Sequence, residues 1–95
     1  MKKYEFGLLV SSELDEENLT QLLNKVSQWI TDGSGQVLKM DNWGKRKLAY
    51  PIRKFRDGCY IFVQAEMEPR AVIEIERNLN ISEAILRHIV IRLDE

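Results

Sequence analysis

The first ten residues place apolar side chains at every second position. At a period of two, side chains share one face of an extended chain. The residues on that face are Tyr4, Phe6, Leu8 and Val10. The pattern predicts a first strand over residues 3–10.

A helical pattern follows, because apolar residues then recur at intervals of three and four. Asp15, Glu16 and Glu17 lie at its start, and acidic residues suit the positive N-terminal end of a helix. Gly33 and Gly35 follow it, and glycine readily adopts the left-handed backbone that ends many helices. A first helix is therefore predicted over 16–31, with a stripe of Leu19, Leu22, Leu23, Val26, Trp29 and Ile30.

Residues 36–50 favour a long extended segment whose alternation is imperfect. Gly44 interrupts it, which predicts a bulge or kink. Pro51 has no N–H to donate to a neighbouring strand, so this second strand is expected at a sheet edge. Asp57 and Gly58 form a turn signal, and a loop is predicted over 53–58.

The third strand is predicted over 59–67, because two kinds of residue alternate there. One face carries Cys59, Ile61, Val63, Ala65 and Met67, and the other carries Tyr60, Phe62, Gln64 and Glu66. Pro69 suits the first turn of a second helix, predicted over 69–79. A last strand over 85–93 has Arg87, Ile89, Ile91 and Leu93 on one face and Leu86, His88, Val90 and Arg92 on the other.

The predicted order of elements is strand, helix, strand, strand, helix, strand. Two right-handed crossovers around a central hairpin give an α+β fold, the ferredoxin-like split βαβ arrangement (βαββαβ). It consists of a four-stranded antiparallel sheet with two helices on one face. The other face is open and is expected to carry Tyr60 and Phe62. Ninety-five residues fit a single domain, predicted to span 1–95.

The composition also predicts the cellular compartment. Cys59 is the only cysteine, which excludes an intrachain disulfide and favours a reducing compartment; its thiol is expected to be buried. No apolar run is long enough to span a membrane, and the N-terminus lacks the pattern of a signal or transit peptide. A cytoplasmic location is expected, with a plastid origin left open if a transit peptide has been removed.

Candidate catalytic and metal-binding residues are sparse. One histidine and one cysteine cannot form a zinc site, and His88 lies mid-strand among apolar residues, where a structural role is expected. No phosphate-binding glycine loop occurs. An acylphosphatase of this topology would need an arginine beside a glycine-rich loop after the first strand, whereas residues 11–15 hold two carboxylates and no arginine. An enzyme with a cofactor or a small-molecule substrate is therefore not expected.

Six of the fourteen basic residues lie between Lys45 and Arg56 with no acidic residue among them. The rest of the chain holds eight basic and fifteen acidic residues, so positive charge is confined to this segment. Basic side chains neutralise phosphates, and aromatic rings beside them can stack on unpaired bases. Lysines protecting an edge strand are the alternative, but half of these cations are arginines, which suit phosphate better. The segment predicts RNA binding by Lys45, Arg46, Lys47, Tyr50, Arg53, Lys54 and Arg56.

An RNA-recognition motif shares this topology and places aromatic rings on its open sheet face. Aligned on Gly58, its stacking positions would be Cys59 and Ile61, and neither is aromatic. The simpler interpretation is an apolar face for a protein partner, formed by Tyr60, Phe62, Ile89 and Ile91. At this point the basic segment can still serve either RNA or an acidic protein.

The stretch Trp43-Gly44-Lys45-Arg46-Lys47-Leu48-Ala49-Tyr50-Pro51-Ile52 resembles the Gly-x-Arg-x-Leu-Ala-Tyr-Pro-Ile signature of the bacterial small-ribosomal-subunit protein six family. Tyr4-Glu5, Gly58-x-Tyr60 and Glu66-Met67 are also similar to that family, and the similarity covers essentially the whole chain. The resemblance implies the split βαβ fold and a non-catalytic, structural role in the small ribosomal subunit during translation. It also implies binding to the central domain of small-subunit ribosomal RNA together with small-subunit protein eighteen.

The resemblance further implies site residues. Its motif comprises Gly44, Arg46, Leu48, Ala49, Tyr50, Pro51 and Ile52, and weaker RNA-binding candidates at strand ends are Lys2, Lys3, Tyr4 and Arg87. Tyr50 either packs so as to orient the basic residues or contacts RNA itself, and Lys47 sits where relatives vary. Some relatives carry a long acidic C-terminal extension, whereas this sequence stops at Glu95, so roles tied to that extension are not carried over.

Overall fold

The computed structural model describes residues 1–93 and contains the six elements in the predicted order. Asp94 and Glu95, where the predicted domain ends, lie outside the described residues. The elements are β1 (Lys2–Ser11), α1 (Glu16–Asp32), β2 (Gln36–Ile52), β3 (Phe55–Met67), α2 (Pro69–Ile81) and β4 (Ile85–Arg92).

The strands form one antiparallel sheet in the order β2-β3-β1-β4. β1 lies between β3 and β4, and the register pairs Phe6 with Val63 on one side and with Val90 on the other. β2 is an edge strand, as its proline predicted. The predicted α+β class and split βαβ topology are confirmed.

The hydrophobic core lies between one face of the sheet and the two helices. Its largest fully buried side chains include Phe6 and Leu8 from β1 and Ile61 from β3. The helices contribute Leu22, Val26 and Ile30 from α1 and Val72, Ile75 and Leu79 from α2. Burying each such side chain stabilises the fold by about 1.5–3 kcal/mol. Because the core residues of each strand point toward the helices, the residues that alternate with them form the open side of the sheet.

Both ends of α1 are capped by residues next to the helix in the sequence. At the N-terminus, the Asp15 carboxylate accepts a hydrogen bond from the backbone N–H of Asn18 at 2.8 Å. At the C-terminus, Gly33 is the cap residue, as predicted, but its φ is −85°; the left-handed conformation is adopted by Ser34 (φ 64°) and not by a glycine. Gly35 is instead required by close packing, because a Cβ atom there would lie 2.9 Å from the Glu66 carbonyl oxygen.

The predicted loop over 53–58 is also wrong. The β2–β3 turn consists of Arg53 and Lys54 alone, and Ile52 pairs with Phe55 across it. Both turn residues have positive φ angles, 48° and 75°, as a two-residue type I′ turn requires. Gly58 lies within β3, where a Cβ atom would approach Leu9 Cδ1 to 2.6 Å. The glycine therefore serves strand packing and not the turn.

Among the described residues, the strand register shifts at four places, and two of these bulges determine which side chains lie on the open side of the sheet. Asn42 pairs with Ile61 and Gly44 with Tyr60, so Trp43 is the extra residue of the bulge that Gly44 (φ 80°) predicted.

The second bulge lies in β4, where Leu9 pairs with Arg87 and Val10 pairs with Ile85. Leu86 is the extra residue, and Ile85 joins the core. The predicted alternation therefore holds for His88 and Val90, opposite Leu8 and Phe6, but fails at Leu86, which is buried outside the main core cluster.

Candidate nucleic-acid interface

The six clustered cations all lie at one end of the β2–β3 hairpin, in residues 45–56, which we call the basic arm. The β1–β3 ladder ends at the pair Ser11–Gly58. Arg46 pairs with Gly58, so the rest of the arm continues beyond the end of β1. Near its base, at the pairs with Cys59, Gly58 and Asp57, the hairpin carries basic side chains on both of its faces.

Arg46 lies on the open side of the sheet, where it borders a shallow depression. The other residues that line this depression are Trp43, Tyr60 and Phe62. A guanidinium next to one exposed ring, Trp43, and two half-buried ones combines a phosphate-binding charge with surfaces on which bases can stack. The arrangement is suited to an unpaired or distorted nucleic-acid segment.

Lys45 and Lys47 pair with Cys59 and Asp57 and therefore lie on the opposite side of the hairpin from Arg46. Lys45 Nζ lies 3.5 Å from Asp57 Oδ2, and the Ser12 hydroxyl donates a hydrogen bond to the other carboxylate oxygen. The Ser12 hydrogen bond lowers the pKa of Asp57 below its ordinary value of 3.8; desolvation opposes this shift, and the charge and hydrogen bond of Lys45 add to it. Asp57 is therefore ionised at neutral pH and offsets the charge of Lys45.

Arg87 joins the basic arm although it lies on the far edge strand. Its Nη1 donates a hydrogen bond of 2.8 Å to the Tyr50 hydroxyl, and its Cζ lies 5.7 Å from the centroid of the Tyr50 ring. This contact connects β4 with the segment of β2 that carries the Leu-Ala-Tyr-Pro-Ile motif. Arg87 therefore lies beside the basic arm and contacts it through Tyr50.

The remaining strand-end candidates are not brought to the arm. Lys2 and Lys3 pair with Met67 and Glu66, at the other end of β1 from Ser11. Nine residue steps of strand separate these ends, which is about 30 Å. Tyr4 is 8 % exposed and packs in the helix-side core, so its ring is not available to RNA, and assigning it to the interface is corrected. The alternation of the first strand already placed Tyr4 on the core face.

The four predicted partner-face residues lie on the open side of the sheet. Tyr60 and Phe62 alternate with the buried face of β3, and Ile89 and Ile91 pair with Gly7 and Glu5 of β1. A Cβ atom on Gly7 would lie 3.2 Å from Phe62 and 3.0 Å from Ile89. Gly7 therefore lets these two side chains approach each other across β1.

Trp43 extends this apolar surface, although the sequence did not predict this residue as part of it. Its ring centroid lies 4.6 Å from that of Phe62 at an interplanar angle of 53°, and the residue is 57 % exposed. The signal that could have found it is the bulge at Gly44, because an extra residue reverses the alternation of side chains on β2. We call Trp43, Tyr60, Phe62, Ile89 and Ile91 the open face.

Within residues 1–93, no group of three or more metal-ligating side chains comes together. No helix in this range combines the length and apolarity needed to cross a membrane. The features of these residues that bear on function are the charged arm and the partly exposed open face beside it.

A family model, described as ribosomal protein S6, matches residues 3–92. The chain belongs to the ribosomal protein S6 family. The small ribosomal subunit protein bS6 of Moorella thermoacetica is 39 % identical over 95 residues, covering 100 % of this chain and 97 % of the relative. The bS6 protein of Corynebacterium aurimucosum is 42 % identical over 94 residues, covering 99 % and 98 %.

A solved structure agrees with the family assignment. The crystal structure of 30S ribosomal protein S6 from Thermotoga maritima superimposes with a TM-score of 0.92 at 26 % identity, covering 97 % of this chain and 87 % of that one. The predicted family and fold are both confirmed. The protein is a non-enzymatic, structural component of the small ribosomal subunit, with the RNA-binding and translational role of the S6 family. These bacterial relatives indicate a ribosomal, cytoplasmic location and do not support the plastid alternative.

Proposed function

We propose that the chain acts as one domain that binds the central domain of small-subunit ribosomal RNA together with small-subunit protein eighteen. In this proposal the basic arm contacts the RNA and the open face contacts the protein partner. The observation that carries it is the charge of the hairpin end: residues 45–57 hold six cations and one carboxylate, Asp57, in a chain whose formal net charge is −1.

The charge distribution supports RNA as the ligand of the arm. Neutralising phosphates releases condensed counterions, so each cation that touches the backbone adds to affinity and to its salt dependence. Arg46 lies on the open side of the hairpin, whereas Lys45 and Lys47 lie on the other. The arm can therefore contact phosphates on two sides, as a hairpin inserted along or between RNA strands would do.

The open face supports a protein partner next to the RNA. Ile89 is 52 % exposed and Ile91 is 47 % exposed, and they continue the surface formed by Trp43 and Phe62. Contiguous exposed apolar surface of this kind marks an interaction site. Because Arg46 borders the same rings, a partner on the open face would lie directly beside RNA held by the arm. This proximity supports co-dependent binding.

Replacing Arg46 with alanine tests the phosphate role of the arm. We expect affinity for a central-domain RNA fragment to fall about tenfold, because a charge-assisted hydrogen bond is lost. The slope of log K against log salt should become shallower by about one. Binding titrations at several salt concentrations measure both quantities.

Arg77→Ala is the matched control, since Arg77 lies on α2 and pairs with Glu74 in the helical layer. It removes the same charge from the protein and should leave the salt slope unchanged. Equal effects of the two substitutions would show that only net charge matters, and an unchanged slope for Arg46→Ala would rule out a direct phosphate contact.

A further inference from the structure

We propose that Tyr50 and Arg87 are positioning residues: together they form a latch that holds the basic arm against the rest of the sheet. This inference rests on the proposed RNA-binding function of the arm. It assigns the hydrogen bond between the two side chains, and not a contact of either with RNA, as their main contribution.

The strand register shows why the arm needs such a latch. Between the pairs Lys47–Asp57 and Ile52–Phe55, β2 has four residues, 48–51, where β3 has only Arg56. Three of the four lack a counterpart on β3, so this segment departs from regular pairing. Pro51 contributes no N–H to the ladder. Regular backbone pairing therefore holds this part of the arm less firmly than the rest of β2.

Arg87 supplies a connection from the opposite side of the molecule. It lies on β4 opposite Leu9, and in the sheet order β2-β3-β1-β4 two strands separate it from β2. A hydrogen bond of 2.8 Å from Arg87 Nη1 to Tyr50 can form only if the irregular segment folds back across this end of the open face. The guanidinium also lies 5.7 Å from the ring centroid, within the range of a cation–π contact.

Burial beneath this end of the sheet agrees with a folded-back arm. Leu9 lies on the face away from the helices, yet it is only 5 % exposed, and Leu86 is 6 % exposed outside the main core cluster. Arg53, at the tip of the arm, borders the same depression as Leu86 and Arg87. The turn of the hairpin is thus close to the start of β4.

The hydrogen bond of the latch requires the Tyr50 hydroxyl, whereas the cation–π contact requires only the ring. A tyrosine that stacks on a base does so through its ring, so Tyr50→Phe would preserve stacking. A tyrosine that holds the arm through Arg87 loses its hydrogen bond in the same variant. Phenylalanine therefore separates the two roles with the smallest change in shape.

The experiment is a double-mutant cycle with Tyr50→Phe, Arg87→Gln and the combined variant. RNA-fragment affinity is titrated at several salt concentrations in the presence of small-subunit protein eighteen. Each single variant should bind about threefold to tenfold more weakly with an unchanged salt slope, because one hydrogen bond but no phosphate contact is lost. The combined variant should bind no more weakly than the weaker single variant, because both changes remove the same interaction. Arg70→Gln, on α2, controls for the lost charge.

Three results would overturn the latch. The first is wild-type RNA affinity in Tyr50→Phe, and the second is a combined variant whose loss of affinity equals the product of the two single losses. The third is a salt slope that becomes shallower by about one in Arg87→Gln alone, which would indicate a direct phosphate contact. Urea titrations of every variant establish that each is folded.

Amide hydrogen exchange of the free protein tests the latch without RNA. Exchange at residues 48–56 should accelerate several-fold in Tyr50→Phe and in Arg87→Gln, while amides at the Lys2 end of β1 stay unchanged. If the wild-type protein fails to bind RNA but the two variants show this acceleration, the proposed function is rejected and the latch is retained as a structural device. Unchanged exchange in the arm would reject the latch even where wild-type binding is tight.

Discussion

Replacing Ile89 with glutamate should weaken association with small-subunit protein eighteen about 100-fold or more. The residue lies on the β4 side of the open face, beside Phe62 across Gly7, and it is half exposed in the free chain. A carboxylate there would be buried without a partner in the complex, which costs several kcal/mol. Because Ile89 is exposed before binding, the fold should tolerate the change. Titration calorimetry with the purified partner measures the loss.

Ile73→Glu is the matched control for this prediction. Ile73 is 63 % exposed and lies on α2, in the layer of helices on the other side of the sheet. The same substitution at this position should leave partner affinity unchanged. If Ile73→Glu weakened binding as much as Ile89→Glu, the helical layer and not the open face would carry the contact.

Replacing Phe6 with alanine should lower the free energy of unfolding by about 3–5 kcal/mol, because it leaves a cavity at the centre of the core. Phe6 has no exposed surface and lies on the central strand between Val63 and Val90. A domain of this size has about 5–15 kcal/mol of stability in total, so a large fraction would be lost. Urea denaturation followed by circular dichroism gives the difference.

Ile73→Ala provides the comparison for the core prediction, since it removes an apolar side chain that solvent already reaches. Its free energy of unfolding should change by no more than about 0.5 kcal/mol. A loss below about 1 kcal/mol for Phe6→Ala would contradict the packing between the sheet and the helices.

The regular parts of the fold could be predicted from the sequence because their periodicity comes from the core. Val26 and Ile30 recur at helical spacing, and Phe6 and Leu8 at strand spacing, because each set packs on the same apolar layer. The observed bounds of the elements exceed the predicted ones mainly where strands continue without contributing to the core. β3 begins at Phe55 and not at Cys59 for this reason.

The irregular parts could not be predicted, because a residue typical of turns, such as glycine, can also be required by close packing within a strand. Gly58 suggested a turn, yet it lies in a strand that passes close to Leu9. The actual turn contains Arg53 and Lys54, residues that rarely adopt positive φ. Pairing of the flanking strands fixes this turn, and such pairing is a tertiary feature that local propensity does not contain.

The candidate site shows the same division. The cation cluster is contiguous in sequence, so Arg46 and its neighbours can be predicted as a binding segment from local charge alone. Trp43 required knowledge of a bulge, and the contact between Arg87 and Tyr50 required the path of the arm across the sheet. The strand-end position of Lys2 predicts a contact with RNA, whereas the register puts this residue at the end of β1 opposite to the basic arm.

The most direct test of the proposed function is binding to a central-domain fragment of small-subunit ribosomal RNA, with and without small-subunit protein eighteen, at low and at physiological salt. Co-dependent binding through the arm and the open face predicts tight association only when the partner is present, with affinity that falls steeply as salt rises. Absence of RNA binding under all four conditions, with or without stable association between the two proteins, would contradict it.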